Sequence, residues 1–117
     1  MNLEPFGQKF HIKMIAESID SREHPIATLV ISMDWDGNDL NRAHDVFEKY
    51  DNMLENTDEV NWSQFEAELK NEFKIGYQAV KSITLAFYRN HQWTEVCKLY
   101  ATSHMCAEFH EIARDNE

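Results

Sequence analysis

The sequence predicts an α+β domain in which helices cover one face of an antiparallel sheet, in the order β-β-α-α-β-β-α. Apolar and β-branched side chains dominate two stretches near the amino terminus and two in the last third, which is typical of strands. Between them, apolar residues recur every three or four positions, which is typical of amphipathic helices. The 117 residues include only three glycines and two prolines and contain no linker, so we expect a single domain over residues 1–117.

The first two predicted strands form a hairpin. Residues 9–18 alternate apolar and polar side chains through Phe10, Ile12 and Met14, which is the two-residue period of a half-buried strand. After a short polar turn, residues 26–35 form a run of apolar and β-branched side chains that suits a central strand. Two strands joined by so short a connection pair most simply as an antiparallel hairpin.

Two helices are predicted in the middle of the chain. Leu40, Phe47 and Leu54 belong to an apolar stripe that predicts a helix over residues 39–55. A second stripe, rich in aromatic side chains, predicts a helix over residues 61–73. Each helix is preceded by acidic or amide residues that suit an N-cap. Both helices are therefore expected to turn one side toward a core and the other toward solvent.

The last third of the chain has a less distinct pattern. Residues 79–89 and 93–102 are rich in side chains that favour strands, and we predict that they pair as a second hairpin. Val96 and Tyr100 also lie at helical spacing, so the pattern leaves helices open as the alternative. A final helix is predicted over residues 103–114, where apolar side chains return to the helical period.

The negative charge of the chain is concentrated in one stretch. Residues 34–72 carry twelve of the 21 carboxylates but three of the 11 lysines and arginines, so they hold nine of the ten net negative charges. Such a stretch repels nucleic acid and anionic membranes and attracts basic protein surfaces. Ordinary helix faces mix both signs at four-residue spacing, whereas Asp51 and Glu55 place like charges there. This imbalance favours binding of a basic protein over the plain alternative, a merely solvated surface.

The candidate binding surface combines carboxylates from the two middle helices and the turn between them. Carboxylates three or four residues apart on a helix lie roughly 5–6 Å from one another, which approaches the scale of phosphates along a nucleic-acid strand. Each is expected to bind a lysine or arginine of the partner. The candidate residues are Asp39, Asp45, Glu48, Asp51, Glu55, Asp58, Glu59, Glu66 and Glu72.

No comparably strong pattern indicates catalysis, a metal or a cofactor. Residues 34–45 resemble a calcium loop, but Asp39 stands at the sixth position, where that loop requires glycine. His104, Cys106 and His110 are possible ligands without a standard zinc spacing. Neither a glycine-rich phosphate loop nor a nucleophile elbow occurs. We therefore expect a protein that is not an enzyme and that holds no metal or cofactor.

Targeting signals and cysteine content predict a cytoplasmic protein. The first residues lack a basic segment followed by an apolar run, so no signal peptide is predicted. No apolar stretch approaches the ~20 residues that span a bilayer. Cys97 and Cys106 are accordingly expected to be free thiols in a reducing compartment.

The acidic segment DGNDLNRAHDVFEKYDNMLENTDE at residues 36–59, the chain length and the net charge of −10 carry a family resemblance. Together they resemble the small acidic bacterial DNA-mimic proteins, in particular the kind that binds the histone-like protein HU. These proteins share neither a motif nor a fold, so the resemblance assigns no role to an individual residue. It implies a monomer or dimer whose carboxylates occupy the DNA site of a basic protein, and we expect a monomer. HU is an apt target because it binds DNA mainly through backbone and shape.

Two other functions remain open. An immunity protein that neutralises a basic nuclease toxin also presents an acidic surface, but it recognises one cognate partner. A small enzyme or metal-dependent protein would instead use Asp34, Asp36, His104 and His110.

Overall fold

The computed structural model describes residues 23–57 and 59–115, and this part of the chain forms six α-helices and one 3-10 turn. The helices are α1 (Pro25–Met33), α2 (Gly37–Asn56), α3 (Trp62–Phe73), α4 (Tyr77–Arg89), α5 (Thr94–Ser103) and α6 (His110–Asp115). The 3-10 turn, Ala107–Phe109, leads directly into α6. Over the same described ranges, no helix combines the length and the apolar character needed to cross a bilayer.

The predicted α+β architecture is wrong, because the described residues form helices and contain no strand. Residues 26–35, predicted as a central strand, lie mainly in α1, and residues 79–89 and 93–102 lie in α4 and α5. For these last two segments, the helical alternative is the one observed. The antiparallel sheet in the order β-β-α-α-β-β-α is therefore replaced by packed helices. The strand predicted over residues 9–18 lies outside the described residues.

The two helices predicted in the middle of the chain are confirmed as α2 and α3. The prediction over residues 39–55 misses the start of α2 by two residues, and the prediction over 61–73 misses the start of α3 by one. The final helix, predicted over residues 103–114, is confirmed only in its last part, because the 3-10 turn and a loop precede α6. Periodic spacing was thus a sound guide where polar and apolar sides are clearly separated.

Packing explains why the β-branched stretch at residues 79–89 is helical. Val80, Ile83, Thr84 and Phe87 are fully buried and recur at intervals of three or four residues, so they share one side of α4. This buried side of α4 packs against neighbouring helices, since α4 contacts α1, α3 and α5. The preference of such residues for strands spans about 1 kcal/mol. Burying one large apolar side chain contributes about 1.5–3 kcal/mol, so the burial pattern decides.

α1 is a short apolar helix that the residue pattern does not distinguish from a strand. Pro25 lies in its first turn, where the missing N–H costs no hydrogen bond, and Leu29 is buried against the core. Asp34 ends the helix in the left-handed conformation, with φ 57°. A short run of apolar residues indicates burial, whether it forms a helix or a strand. In this structure, α1 is buried by its contact with α4.

Side-chain caps define the beginnings of α2 and α3. In α2, Asp36 Oδ1 accepts a hydrogen bond from the Asp39 N–H (2.8 Å), and Asp39 Oδ2 accepts one from the Asp36 N–H (3.0 Å). In α3, Asn61 Oδ1 accepts a hydrogen bond from the Gln64 N–H at 3.1 Å. These contacts satisfy amides that the first turn of a helix leaves without a partner.

An aromatic cluster joins α2, α3, α4 and α5. Phe47 of α2 packs edge-on against Phe65 of α3 and Phe87 of α4, with ring centroids 5.1 and 4.7 Å apart. Tyr100 of α5 lies 5.1 Å from Phe65, and all four rings are fully buried. Edge-to-face contacts of this kind stabilise a core beyond the burial of area alone. The cluster thereby sets which side of α2 faces inward.

Replacing Phe47 with alanine is expected to lower the free energy of unfolding by about 3–5 kcal/mol, because the lost ring leaves a cavity. Met105→Ala is the control, since Met105 is 59% exposed and its loss is expected to cost about 0.5 kcal/mol or less. Urea unfolding followed by circular dichroism measures both variants. Equal destabilisation by the two changes would contradict a central position for Phe47.

Candidate partner-binding surface

The buried side of α2 determines which of its charged residues reach solvent. Ala43, Phe47 and Tyr50 are inaccessible to solvent and line the core. With 3.6 residues per turn, Asp45 and Glu48 lie on the opposite half of the helix, and both are exposed. The remaining charged residues of α2 fall on two flanks, one facing α3 and one facing away from it.

The flank that faces α3 carries the two bases of α2, and both are neutralised. Arg42 donates to Glu72 Oε1 at 3.0 Å and to Asp39 Oδ1 at 2.8 Å. Lys49 Nζ donates to Glu68 Oε1 at 2.6 Å. Because Glu72 and Glu68 belong to α3, these ion pairs bridge the two helices. The bases of α2 are therefore used within the protein.

The other charged side of α2 holds only carboxylates, which we call the acidic row: Asp45, Glu48, Asp51 and Glu55. Asp45, Glu48 and Glu55 are exposed, and Asp51 is half-buried. No basic side chain among the described residues makes an ion pair with any of them. At 1.5 Å of rise per residue, the row extends about 15 Å along the helix. It is a line of like charges that no base within residues 23–57 and 59–115 neutralises through an ion pair.

Four of the other predicted surface residues do not belong to the acidic row. Asp39 and Glu72 are both bound to Arg42. Hydrogen bonds from the N-cap backbone and from Arg42 hold the pKa of Asp39 below its ordinary value. Glu59 is exposed in the loop that follows α2, and Asp58 lies outside the described residues.

Glu66, the ninth predicted surface residue, is buried, with 4% of its surface exposed. Tyr100 donates a hydrogen bond from its hydroxyl to Glu66 Oε2 at 3.0 Å, and His104 Nε2 lies 3.6 Å from the same oxygen. Lys70 Nζ is 4.0 Å from Oε1. A buried carboxylate is tolerated only when such partners surround it. We therefore leave Glu66 out of the surface that a partner contacts.

Glu66 lines a recess of about 200 Å³ between α3, α4, α5 and the segment after α5. Burial, and secondarily the hydrogen bond to Glu66, raises the pKa of Tyr100 above its ordinary value, so its hydroxyl remains a donor at neutral pH. The residues that line the recess are Glu66, Tyr77, Lys81, Tyr100, His104, Met105 and Cys106.

The sequence contains one indication that the Glu66 side chain is buried, which a prediction from its charge alone misses. Glu66 follows Trp62 by four residues and precedes Leu69 by three, so it lies within the apolar stripe of α3. Its position in the stripe indicates an inward side chain even though its charge suggests a surface one. The contacts with Tyr100 and His104 have no local signal, because those residues lie on or just after α5.

The residues considered for a metal or an enzyme are dispersed. Asp34 and Asp36 lie just before α2, His104 follows α5, and His110 begins α6. Asp36 is engaged in the cap of α2. Over residues 23–57 and 59–115, no three His, Cys, Asp or Glu side chains are grouped so that they could hold a metal ion.

No protein-family model, curated protein or solved structure gives a significant match to this chain.

Removing the Glu66 carboxylate is expected to destabilise the protein, because Tyr100 and His104 would lose a buried partner. Glu66→Ala is expected to lower the free energy of unfolding by about 1–3 kcal/mol. Glu66→Gln retains an acceptor for the Tyr100 hydroxyl and is expected to cost less. Urea titration of both variants tests this, and an alanine variant as stable as the unmodified protein would contradict it.

Both described cysteines are free, and burial raises the pKa of each thiol, which lowers the fraction of reactive thiolate at neutral pH. Cys97 is buried and Cys106 is partly exposed, so Cys106 is expected to react first with a thiol reagent and Cys97 only on unfolding. Mass spectrometry after timed labelling measures the order. Rapid modification of a folded Cys106→Ser variant would show that Cys97 is accessible and contradict the prediction.

Proposed function

We propose that this protein binds a basic DNA-binding protein through the acidic row of α2 and competes with DNA for that partner. The observation that carries the proposal is the separation of charges on α2. Arg42 and Lys49 are bound to carboxylates of α3, while the four carboxylates of the acidic row make no ion pair with a base of the described residues. Such a surface attracts lysines and arginines and repels nucleic acid.

The spacing of the acidic row supports competition with DNA. Its carboxylates are three, three and four residues apart, which places neighbours roughly 5–6 Å from each other. A DNA strand presents one phosphate per roughly 3.4 Å of axis, so about 15 Å of helix corresponds to four or five phosphates. A groove that binds a DNA backbone would meet charges on a similar scale along α2.

Repulsion within the acidic row also favours a partner. Asp51 and Glu55 lie four residues apart, and like charges at this spacing destabilise a helix by about 0.2–0.5 kcal/mol. Bases of a partner would relieve that repulsion when they bind. Because three of the four carboxylates of the acidic row are solvent-exposed, their attraction for a partner is screened over about 8 Å at physiological ionic strength. The proposed complex is therefore salt-sensitive.

The proposed partner is the histone-like protein HU or a protein of similar charge, met in the bacterial cytoplasm. The proposal involves a monomer and needs no cofactor and no catalytic step. An immunity protein for a nuclease toxin would use the same acidic row, but its complex would be confined to one cognate toxin.

Capture from bacterial lysate on the immobilised protein tests this function. We expect HU or another DNA-binding protein to be retained at low salt, to elute in a salt gradient and to be released by duplex DNA. A captured partner that resists both salt and DNA would overturn the competition with DNA, and capture of a single nuclease would favour the immunity function.

Two pairs of substitutions separate the acidic row from net charge alone. Glu48→Gln with Glu55→Gln is expected to weaken binding to the captured partner by about tenfold, or roughly 1.4 kcal/mol, because two exposed charges are lost. Glu68→Gln with Glu72→Gln is the matched control, since it changes the net charge equally but removes carboxylates already bound to Lys49 and Arg42. Titration calorimetry measures both, and equal weakening would contradict a specific role for the acidic row.

A further inference from the structure

The carboxyl end of α4, the first turns of α5 and helix α6 enclose an open cleft of about 460 Å³. This volume lies in the range of about 300–1,000 Å³ that small-molecule sites occupy. None of the residues around the cleft belongs to α2, so it is separate from the acidic row. The lining residues are Tyr88, Arg89, His91, Thr94, Lys98, Glu111, Arg114 and Asp115.

The two carboxylates of the cleft are engaged by its own walls. Glu111 accepts hydrogen bonds from Nε and Nη2 of Arg89, with nitrogen–oxygen distances of 3.1–3.3 Å. Asp115 Oδ2 accepts a hydrogen bond of 2.6 Å from the Tyr88 hydroxyl. These contacts join α4 to α6 and build a frame around the cleft. Arg89 neutralises Glu111, whereas Asp115 keeps its negative charge and is only oriented by the Tyr88 hydroxyl. The three bases of the lining, Arg89, Lys98 and Arg114, still outnumber its two carboxylates.

Two bases of the cleft make no ion pair with any carboxylate that the structure describes. In the described part of the chain, the lysines and arginines that make ion pairs are Arg42, Lys49, Lys70, Lys81 and Arg89. The lysines and arginines of that part that make none are Lys74, Lys98 and Arg114. Most lysines and arginines of the described residues make an ion pair, as expected in a chain with 21 carboxylates. Lys98 and Arg114 differ from these bases, and both line the same cleft.

The amino-terminal end of α5 adds neutral donors to these charges, one turn before Lys98. Thr94 contributes a hydroxyl, and it is the first residue of α5. Trp93, the preceding residue, makes no side-chain cap. The first amides of α5 are therefore without a side-chain acceptor and carry the partial positive charge of a helix start. The cleft thus combines two unpaired cations with hydrogen-bond donors.

We propose that this cleft binds the phosphate group of a small phosphorylated molecule, held by Lys98 and Arg114. An arginine and a lysine supply the charge-assisted hydrogen bonds that phosphate oxygens accept. The net charge of −10 repels a polyanion as a whole, which favours a small ligand over a nucleic acid. The site is independent of the proposed partner surface on α2.

Amide chemical shifts of the labelled protein, titrated with ribose 5-phosphate at constant ionic strength, test the proposal. Ribose and inorganic phosphate are titrated in parallel. We expect saturable shifts at the cleft residues with both phosphate-bearing probes and none with ribose. Absence of saturation with both phosphate probes, or equal shifts with ribose, would overturn the proposal. Tighter binding of a short duplex DNA at the same residues would overturn the assignment to a small molecule.

The decisive comparison uses Lys74, Lys98 and Arg114, the bases that are unpaired in the described part of the chain. Lys98→Gln with Arg114→Gln is expected to weaken ribose 5-phosphate binding at least tenfold, whereas Lys74→Gln, an unpaired base outside the cleft, is expected to change it less than twofold. None of these side chains makes an ion pair, so the variants are expected to fold, and their circular dichroism spectra verify this. If the double variant and the Lys74 variant lose similar affinity for ribose 5-phosphate, binding depends on net charge alone and the proposal is wrong.

Discussion

The burial of one side of α2 against the aromatic cluster is the constraint on which the rest of the described structure depends. Phe47 contacts both Phe65 of α3 and Phe87 of α4, and Tyr50 of α2 adds a second ring contact with Phe65. A helix fixed on one side has no freedom to rotate about its axis. The direction of each charged residue of α2 follows from that contact, and so does the division of its charges between two flanks.

That division gives the two sets of carboxylates different roles. Glu68 and Glu72 bind Lys49 and Arg42 across the α2–α3 contact. Exposed ion pairs contribute only about 0–1 kcal/mol each, so their main consequence is that the bases are no longer available to the acidic row. The row is therefore negative because of how the helices pack, in addition to how many carboxylates the chain contains. Glu66 shows the converse, a carboxylate drawn into the core by its place in an apolar stripe.

The sequence predicts the elements of this structure unevenly, for physical reasons. Residues 39–55 and 61–73 were recognisable as helices because their apolar stripes alternate with polar residues at helical spacing. Residues 79–89 were mistaken for a strand because Val80 and Ile83 favour strands locally, and only burial against three other helices reveals the helical period. The stretch of net negative charge was visible in the sequence. The sequence did not reveal which carboxylates pair with Arg42 and Lys49 and which remain in the acidic row. Pairing of Lys49 with Glu68 depends on residues 19 positions apart, which no local pattern reports.

The role of the acidic row is best tested by mapping, residue by residue, where the partner contacts α2. Amide chemical shifts of the labelled protein would be followed during titration with purified HU at low salt, and then during addition of duplex DNA. We expect perturbations concentrated along residues 45–55 that reverse when DNA is added. Perturbations confined to α4, α5 and α6, or a complex that DNA leaves intact, would contradict the assignment of the acidic row as the surface that competes with DNA.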